Sequence, residues 1–260
     1  MVERGESAPP VPVHQTAEMP AGLDGNPDPI RTPARDAVLE ALGEQVLARR
    51  GDDPTGVLRV AIDGIDGAGK STLADELARW LEGAGVPVIR STIDSFHNPR
   101  AVRWARGRGS PVGFYRDSHD LDALRRLLLT PLAQDPPAAY VAAAFDEPTD
   151  TALVADPRPV HPGAVLVFDG IFLQRPELRD AWDLAVFVDA MDRVTAVRIE
   201  RATAGCPVGP AAWLHLAWWW VVLERYVGGQ RLYLDEADPI ACADLVLDNN
   251  DLAAPRLVTR

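Results

Sequence analysis

Lysine is almost absent from this chain of 260 residues, which has one lysine, Lys70, among its 26 lysine and arginine residues. Long basic runs are absent as well, and the formal net charge is −12, which argues against broad binding of nucleic acid. A few cations and backbone amides that converge can still hold a polyanion in an acidic protein. The charge therefore restricts where a nucleotide could bind but does not exclude one.

Cysteines and long apolar runs are also scarce. Cys206 and Cys242 are far apart and have no cysteine or histidine partner at the spacing of metal ligands, which predicts reduced, unpaired thiols. The most apolar run, residues 211–223, has 13 residues and contains His215, whereas a membrane span needs about 20. The N-terminus has no apolar core behind a basic start, so it does not resemble a secretory signal. These features predict a cytoplasmic protein that does not contact a membrane.

The composition predicts one folded domain behind a leader. Residues 1–32 are rich in proline, glycine and acidic side chains, which favours disorder. The 47% hydrophobic content of the whole chain can fill a sizeable core, and we expect residues 33–260 to form it as a single domain.

Short apolar strands alternate with amphipathic helices along this domain. Strands that are apolar throughout are typical of a parallel sheet covered by helices on both faces, so the predicted fold class is α/β. An arginine-, glycine- and proline-rich stretch, 97–120, lacks periodicity and predicts a long mobile connection. The predicted helices are 35–50, about 71–82, 121–132, 191–203 and the start of 211–234. The predicted strands are 56–63, 86–93, 164–168, 183–189 and 243–249.

The single lysine lies in a glycine-rich loop between a predicted strand and a predicted helix. "GIDGAGKS" (64–71) fits G-x-x-x-x-G-K-[ST], the phosphate-binding P-loop, and its context is the one that this motif requires. The glycines let backbone amides point at phosphate oxygens, and the lysine places a compact charge between β- and γ-phosphates, where a planar guanidinium is too wide. The predicted nucleotide-binding residues are Gly64, Asp66, Gly67, Ala68, Gly69, Lys70, Ser71 and Thr72.

Carboxylates follow three of the predicted strands. Asp94, Asp169 and Asp189 would therefore approach the edge of the sheet where the P-loop lies. In phosphoryl transfer to an alcohol, one carboxylate accepts the hydroxyl proton and another orients Mg²⁺ or its water. Asp94 suits the first role, although a turn or cap explains it equally well, and Asp169 with the Ser71 hydroxyl suits the second. Asp189 is better explained as a helix cap.

With these segments in view, the chain from about residue 58 to 250 resembles the uridine kinase family of P-loop kinases. The resemblance rests on "GIDGAGKST", "DSFH", "LLLTPL", "VLVFDGIF", "DLAVFVDAMDRVTAVRIER" and "RYVGGQRLYL", in matching order and spacing. It implies a P-loop NTPase-type parallel sheet flanked by helices on both faces. It also implies transfer of phosphate from ATP or GTP, with Mg²⁺, to the 5′-hydroxyl of a nucleoside, with Asp94 as general base and Asp169 assisting the metal.

The resemblance also extends the set of candidate residues. Arg198 and Arg201, which would share one helix face, are implied to contact the phosphates of the nucleotide. For the substrate, the candidates are Phe96, His97, Tyr140, Phe145, with Asp146, and Arg225. Pairing of the arginines with neighbouring glutamates is an equally good explanation. The family reads its base with a histidine after Tyr-Asp-Phe, and the segment "YVAAAFDEPTD" has none.

Two other functions stay open at this point. A nucleoside monophosphate kinase, of the thymidylate kinase kind, would need no general base, because its acceptor is already a phosphate. A regulatory nucleotide-binding protein would need neither acceptor nor base. The tryptophans at 213 and 218–220 predict core packing first, and a subunit interface or nucleobase platform second. The sequence thus predicts a small-molecule substrate, leaves a homo-oligomer open and favours alcohol phosphorylation because of Asp94.

Overall fold

A computed structural model of the chain describes residues 31–51, 55–191, 193, 194, 197, 221 and 223–259. Six strands form the central sheet: β1 (Leu58–Gly64), β2 (Val88–Thr92), β5 (Val165–Asp169), β6 (Leu184–Asp189), β7 (Leu245–Asp248) and β8 (Arg256–Thr259). Their order is β2-β5-β1-β6-β7-β8, and the first five are parallel. The predicted α/β class and parallel sheet are confirmed.

Two strand pairings were not predicted from the sequence. The edge strand β8 runs antiparallel to β7, and a short hairpin of β3 (Phe145–Asp146) and β4 (Thr151–Ala152) lies apart from the main sheet. Segments of two to four residues are too short for a periodicity to show.

Helices cover both faces of the sheet because its strands alternate between two cores. Val60 and Ile62 of β1 pack in one core with the helices α1 (Pro33–Arg50) and α2 (Lys70–Gly83). Ala61, between them, faces the other core together with Phe168 and the helix at residues 121–132. Burial on both faces explains why these strands are apolar throughout.

The first helix has end signals at both termini. Thr32 accepts a hydrogen bond from the amide of Arg35 (3.2 Å) and Pro33 occupies the first turn, which suits a residue that has no amide hydrogen. The helix ends at Gly51, which has a positive φ of 60° and donates its amide to Leu47. The helix and its stop at Gly51 are confirmed.

The segment predicted to be a long mobile connection, 97–120, contains short helices. It contains α3 (Arg100–Arg103) and α4 (Pro111–Asp117), and the helix at 121–132 follows as α5 (Leu121–Leu124), a wider π turn (Arg125–Leu129) and α6 (Thr130–Leu132). The sequence did not predict the helices of 97–120, because they are too short for a periodic pattern and depend on tertiary contacts. Near the C-terminus lie α7 (Gly228–Ala237) and α8 (Pro239–Cys242).

Several sequence predictions concern residues outside the described ones. These are nearly all of the predicted leader, Cys206, most of the predicted helix at 191–203 and the tryptophans at 213 and 218–220. Within the described part of the chain, no helix has the length and apolar character required to cross a bilayer.

Candidate active site

The P-loop lies where β1 passes into α2. Gly67 and Gly69 have φ of 80° and 97°, which side chains disfavour, so the loop can curl back as the motif predicts. The N-terminus of α2 at Gly69 has no side-chain cap. The first four amides of a helix have no partner within the helix. An anion at this position would meet backbone amides and the positive end of the helix.

Lys70 lies inside this loop. Its side-chain ammonium donates a hydrogen bond to the carbonyl of Ile65 (2.9 Å), and the residue is only 8% exposed. The loop's own carbonyl therefore holds the ammonium at the mouth of the P-loop.

The structure brings Ser71 and Asp169 together from distant parts of the chain. The Ser71 hydroxyl donates to Oδ2 of Asp169 (2.6 Å) at the end of β5, and Arg90 Nη1 lies 2.7 Å from Oδ1. That Oδ1 is buried and accepts no hydrogen bond from the described residues, so the arginine contact is an ion pair that is poorly aligned for hydrogen bonding. A hydroxyl and a carboxylate are the oxygen ligands that Mg²⁺ prefers, and the residues present fit that ion.

Asp94 follows β2 in a 3₁₀ turn (Ile93–Phe96) beside the end of β5. The two strand ends approach closely because Gly170 has no side chain. A Cβ on Gly170 would lie 2.3 Å from the side chain of Ile93. The tight contact holds the turn of Asp94 next to Asp169.

The Asp94 carboxylate has a different environment from Asp169. Its side chain is 70% exposed, whereas that of Asp169 is 3% exposed. Protein nevertheless surrounds Asp94 on several sides, and this partial desolvation raises the pKa of Asp94 above its ordinary value. Nearby Asp169 and Asp66 raise the pKa further, while His97 and Lys70 oppose them. The two carboxylates therefore differ in their exposure to solvent.

Two histidines approach Asp94. Nε2 of His97 and Nε2 of His119 each lie 4.0 Å from Oδ1 of Asp94, and their ring centroids are 4.6 Å apart. Burial lowers the pKa of His119 well below its ordinary value, and the nearby charges of His97, Arg175 and Arg103 act in the same direction. His119 is accordingly neutral at physiological pH. No sequence pattern points to His119, because only the fold brings it to Asp94.

The other predicted substrate residues are mostly buried. Phe96 packs in the core against Phe168, with ring centroids 6.4 Å apart, and Tyr140 and Phe145 are nearly inaccessible. The hairpin of Phe145 does reach the site, because the amide of Ala144 donates to the carbonyl of Ser95 (2.9 Å). His97, by contrast, brings Nε2 to 4.0 Å from Oδ1 of Asp94.

The predicted arginines are placed differently. Arg225 is buried and donates to the carbonyls of Ser110 (3.4 Å) and Arg103 (3.3 Å), so it holds the segment between α3 and α4. Arg198 and Arg201 lie outside the described residues. Asp189 accepts a hydrogen bond from the amide of Met191 (3.2 Å), which agrees with its interpretation as a cap.

Several residues that support the P-loop were missed by the sequence analysis. Asn249, just after β7, donates to the carbonyl of Ala68 (2.8 Å), and Arg193 donates to the carbonyl of Gly67 (3.1 Å). The position of Asn249 directly after a parallel strand could have identified it as a candidate. Asn249 Oδ1 is buried and accepts no hydrogen bond from the described residues.

Helix α7 contacts the end of β1 and the first residues of the P-loop. Gln230 donates to Asp66 Oδ2 (2.7 Å), and the Tyr233 hydroxyl donates to buried Asp63. Burial raises the pKa of Asp63, while its hydrogen bonds and Lys70 oppose that shift. These contacts link the P-loop to a helix more than 150 residues away in sequence.

Comparison with protein-family models gave no match, and comparison with curated protein sequences gave none either. Among solved structures, "a possible uridine kinase from Bacillus stearothermophilus" is 25% identical over 82% of this chain and 97% of its own, with a TM-score of 0.61. A putative fructose transport system kinase from Silicibacter sp. TM1040 is 23% identical over 76% and 95%, with a TM-score of 0.58. The YGR205w protein is 15% identical over 88% and 99%, with a TM-score of 0.54.

These likenesses bear out the resemblance to uridine kinase-like P-loop kinases and the fold expected from it. The chain has a P-loop kinase-like fold with a mostly parallel sheet between helices. The two neighbours below 25% identity show the fold alone.

Proposed function

We propose that this protein is a small-molecule kinase that transfers the γ-phosphate of ATP to an alcohol, as the uridine kinases that it resembles do. A nucleoside 5′-hydroxyl is the first acceptor to test, and GTP is the alternative donor. The observation that carries the proposal is the pair of unlike carboxylates beside the P-loop. Asp169 is buried against Ser71, and Asp94 is exposed with a raised pKa.

Each carboxylate suits a separate task. Asp94 is accessible to an acceptor, and its raised pKa makes it a stronger base towards a hydroxyl proton. Lys70 and the amides at the start of α2 would bind the phosphates and balance their charge. Ser71 and Asp169 would hold Mg²⁺, which when bound neutralises charge on the β- and γ-phosphates.

Asp94 also separates this proposal from the two alternatives. A nucleoside monophosphate kinase has an acceptor phosphate that is already ionised, so a carboxylate there could only position it. A regulatory nucleotide-binding protein has no acceptor at all.

The test combines an acceptor panel with Asp94→Asn, which keeps the size of the side chain but removes the basic oxygen. Nucleosides, sugars and nucleoside monophosphates are incubated with Mg²⁺-ATP and scored for ADP and for phosphorylated product. With an alcohol acceptor we expect kcat to fall on the order of 10²-fold or more, as the loss of a general base commonly causes. Nucleotide affinity, measured by calorimetry, should change little.

The matched control is Asp235→Asn on the exposed side of α7, which should leave kcat unchanged. An unchanged kcat in Asp94→Asn would remove Asp94 as the base and favour the monophosphate kinase. Nucleotide binding without any phosphorylated product across the panel would instead favour the regulatory protein.

A further inference from the structure

A carboxylate and two imidazoles converge at the acceptor side of the site. One ligand atom from each of Asp94, His97 and His119 lies within 4.8 Å of the others. Two histidines and a carboxylate are a ligand set used for zinc and related transition metals in proteins. The P-loop chemistry described above accounts for Asp94 but assigns no role to His119.

The two histidines are held by the backbone around them. Residues His97 and His119 pair as an isolated antiparallel bridge, flanked by hydrogen bonds from Asn98 to Ser118 (2.9 Å) and from Asp120 to Phe96 (2.7 Å). The backbone positions of both histidines are therefore set by the fold, as a preorganised site requires.

One ring nitrogen of each histidine is available as a metal ligand. Nδ1 of His97 contacts the carbonyl of Asp94 (2.9 Å), and because a carbonyl only accepts, Nδ1 must carry the proton. In the neutral imidazole, Nε2 of His97 then carries the lone pair, as in metal sites where the other nitrogen donates to an acceptor. Nε2 of His119 is buried, in a side chain that is 2% exposed, and has no hydrogen-bond partner among the described residues.

The distances suit a small cation. Zinc bonds to nitrogen and oxygen of about 2.0–2.2 Å place neighbouring ligand atoms about 3.3 Å apart in a tetrahedral site. The separations of 4.0 Å from Asp94 Oδ1 to each Nε2 therefore need to shorten by about 0.7 Å. Asp94 is exposed and can make this adjustment with its own side chain. The two histidine ligand atoms lie within 4.8 Å of each other, so a small rotation of the partly exposed His97 ring has to bring them closer. The open side of Asp94 leaves room for water as a further ligand.

We propose that Asp94, His97 and His119 form a binding site for a transition-metal ion of the zinc class, separate from the Mg²⁺ position at Ser71 and Asp169. Ion binding occupies the carboxylate oxygen of Asp94. A second consequence rests on the proposed function. The bound ion prevents Asp94 from accepting the hydroxyl proton and so inhibits phosphoryl transfer.

Binding is tested first without nucleotide or acceptor, so its result does not depend on the kinase proposal. Zn²⁺ is titrated into the purified full-length protein by calorimetry in a weakly coordinating buffer with excess Mg²⁺. Co²⁺ is then added in parallel, because its visible absorption reports coordination geometry. We expect the protein to bind one equivalent of Zn²⁺ tightly and Mg²⁺ not to displace it. We also expect bound Co²⁺ to show the visible absorption band of a low coordination number, and added Zn²⁺ to remove that band.

The variants locate the site. His97→Gln and Asp94→Asn should each weaken Zn²⁺ binding at least about 10-fold, since outer-shell changes alone often cost that much. His97 is partly exposed and Asp94 is largely exposed, so their variants should fold. The test therefore does not require His119→Gln, a substitution at a buried residue, to fold. His161→Gln, at an exposed histidine, is the control and should bind Zn²⁺ as the original protein does.

Absence of saturable Zn²⁺ binding would overturn the site, and so would wild-type affinity in His97→Gln. If the site binds and the protein phosphorylates an alcohol, Zn²⁺ should inhibit turnover, with recovery after a chelator is added. Zinc binding without kinase activity would refute the proposed function and leave the site standing.

Discussion

Lys70 has a place in the P-loop that its surroundings define closely. Its ammonium is bonded to Ile65 and almost enclosed, and the rest of the chain uses arginine at every other basic position. An ammonium is compact and directs its protons in three directions, whereas a guanidinium is planar and wider. The shape of the loop explains why lysine is retained here.

We expect Lys70→Arg to lose most phosphoryl transfer and Lys70→Ala to lose nearly all of it. The arginine keeps the charge but cannot enter the space beside the Ile65 carbonyl, so kcat should fall by about 10²-fold or more. Turnover is measured with the acceptor found in the panel, and thermal melting checks that each variant is folded. Arg79→Lys, on the exposed face of α2, is the reverse control and should keep full activity. Near-normal turnover in Lys70→Arg would refute the steric explanation.

At the scale of elements, the contact between α4 and α7 connects the segment near the histidines with the P-loop. Gly228 and Gly229 let α7 approach Pro111 and Phe114, and Gln230 and Tyr233 of the same helix reach the P-loop acids. A change in this contact should therefore affect both stability and the loop.

Gly229→Ala should destabilise the protein by about 1–3 kcal/mol, because overpacking forces side chains or backbone to shift. Its Cβ would lie 2.7 Å from the ring of Phe114 and 2.9 Å from the carbonyl of Pro111. The free energy of unfolding is measured in urea. Gly83→Ala, at the end of α2 where nothing lies within 4 Å, is the control and should be neutral or stabilising by up to about 1 kcal/mol. Equal midpoints for both variants would show that α4 and α7 are not in tight contact.

At the scale of the whole molecule, Arg175 combines a local ion pair with a hydrogen bond to a distant segment. Arg175, after β5, binds the carboxylate of Glu177 through Nε (3.0 Å) and Nη2 (2.9 Å), and donates to the carbonyl of Tyr115 on α4 (3.0 Å). The hydrogen bonds from Arg175 lower the pKa of Glu177 to about 2 from its ordinary 4.5, against the opposing effect of desolvation.

This shift predicts part of the acid sensitivity of folding. A carboxyl group whose pKa is lower in the folded state stabilises above its unfolded pKa, and that stability is lost as the pH falls from about 4.5 towards about 2. Glu177→Gln should therefore cost about 1 kcal/mol at neutral pH, a modest value because the group is partly exposed and screened. The difference between the two proteins should vanish near pH 2.

Urea unfolding at a series of pH values measures this difference. Glu82→Gln, on the exposed end of α2, should show no comparable dependence. A pH-independent gap between Glu177→Gln and the original protein would show that the contact acts through packing and not through charge.

The P-loop, the buried strands and the first helix could be predicted because local sequence determines them. The glycine pattern of 64–69 specifies a backbone that only a few residue types allow, and apolar runs specify strands buried on both faces. The folded segment 97–120 could not be predicted, because its helices are short and depend on distant contacts such as those of Arg225.

By itself, the sequence determined the fold class, the phosphate loop and the candidate carboxylates Asp94 and Asp169, since each depends on residues close together in the chain. Only the tertiary structure decided which side chains share the site. His119 reaches Asp94, Asn249 reaches Ala68, and Tyr233 reaches Asp63 across long stretches of chain. The physical reason is that such contacts follow from the packing of helices on the sheet, which no local pattern encodes.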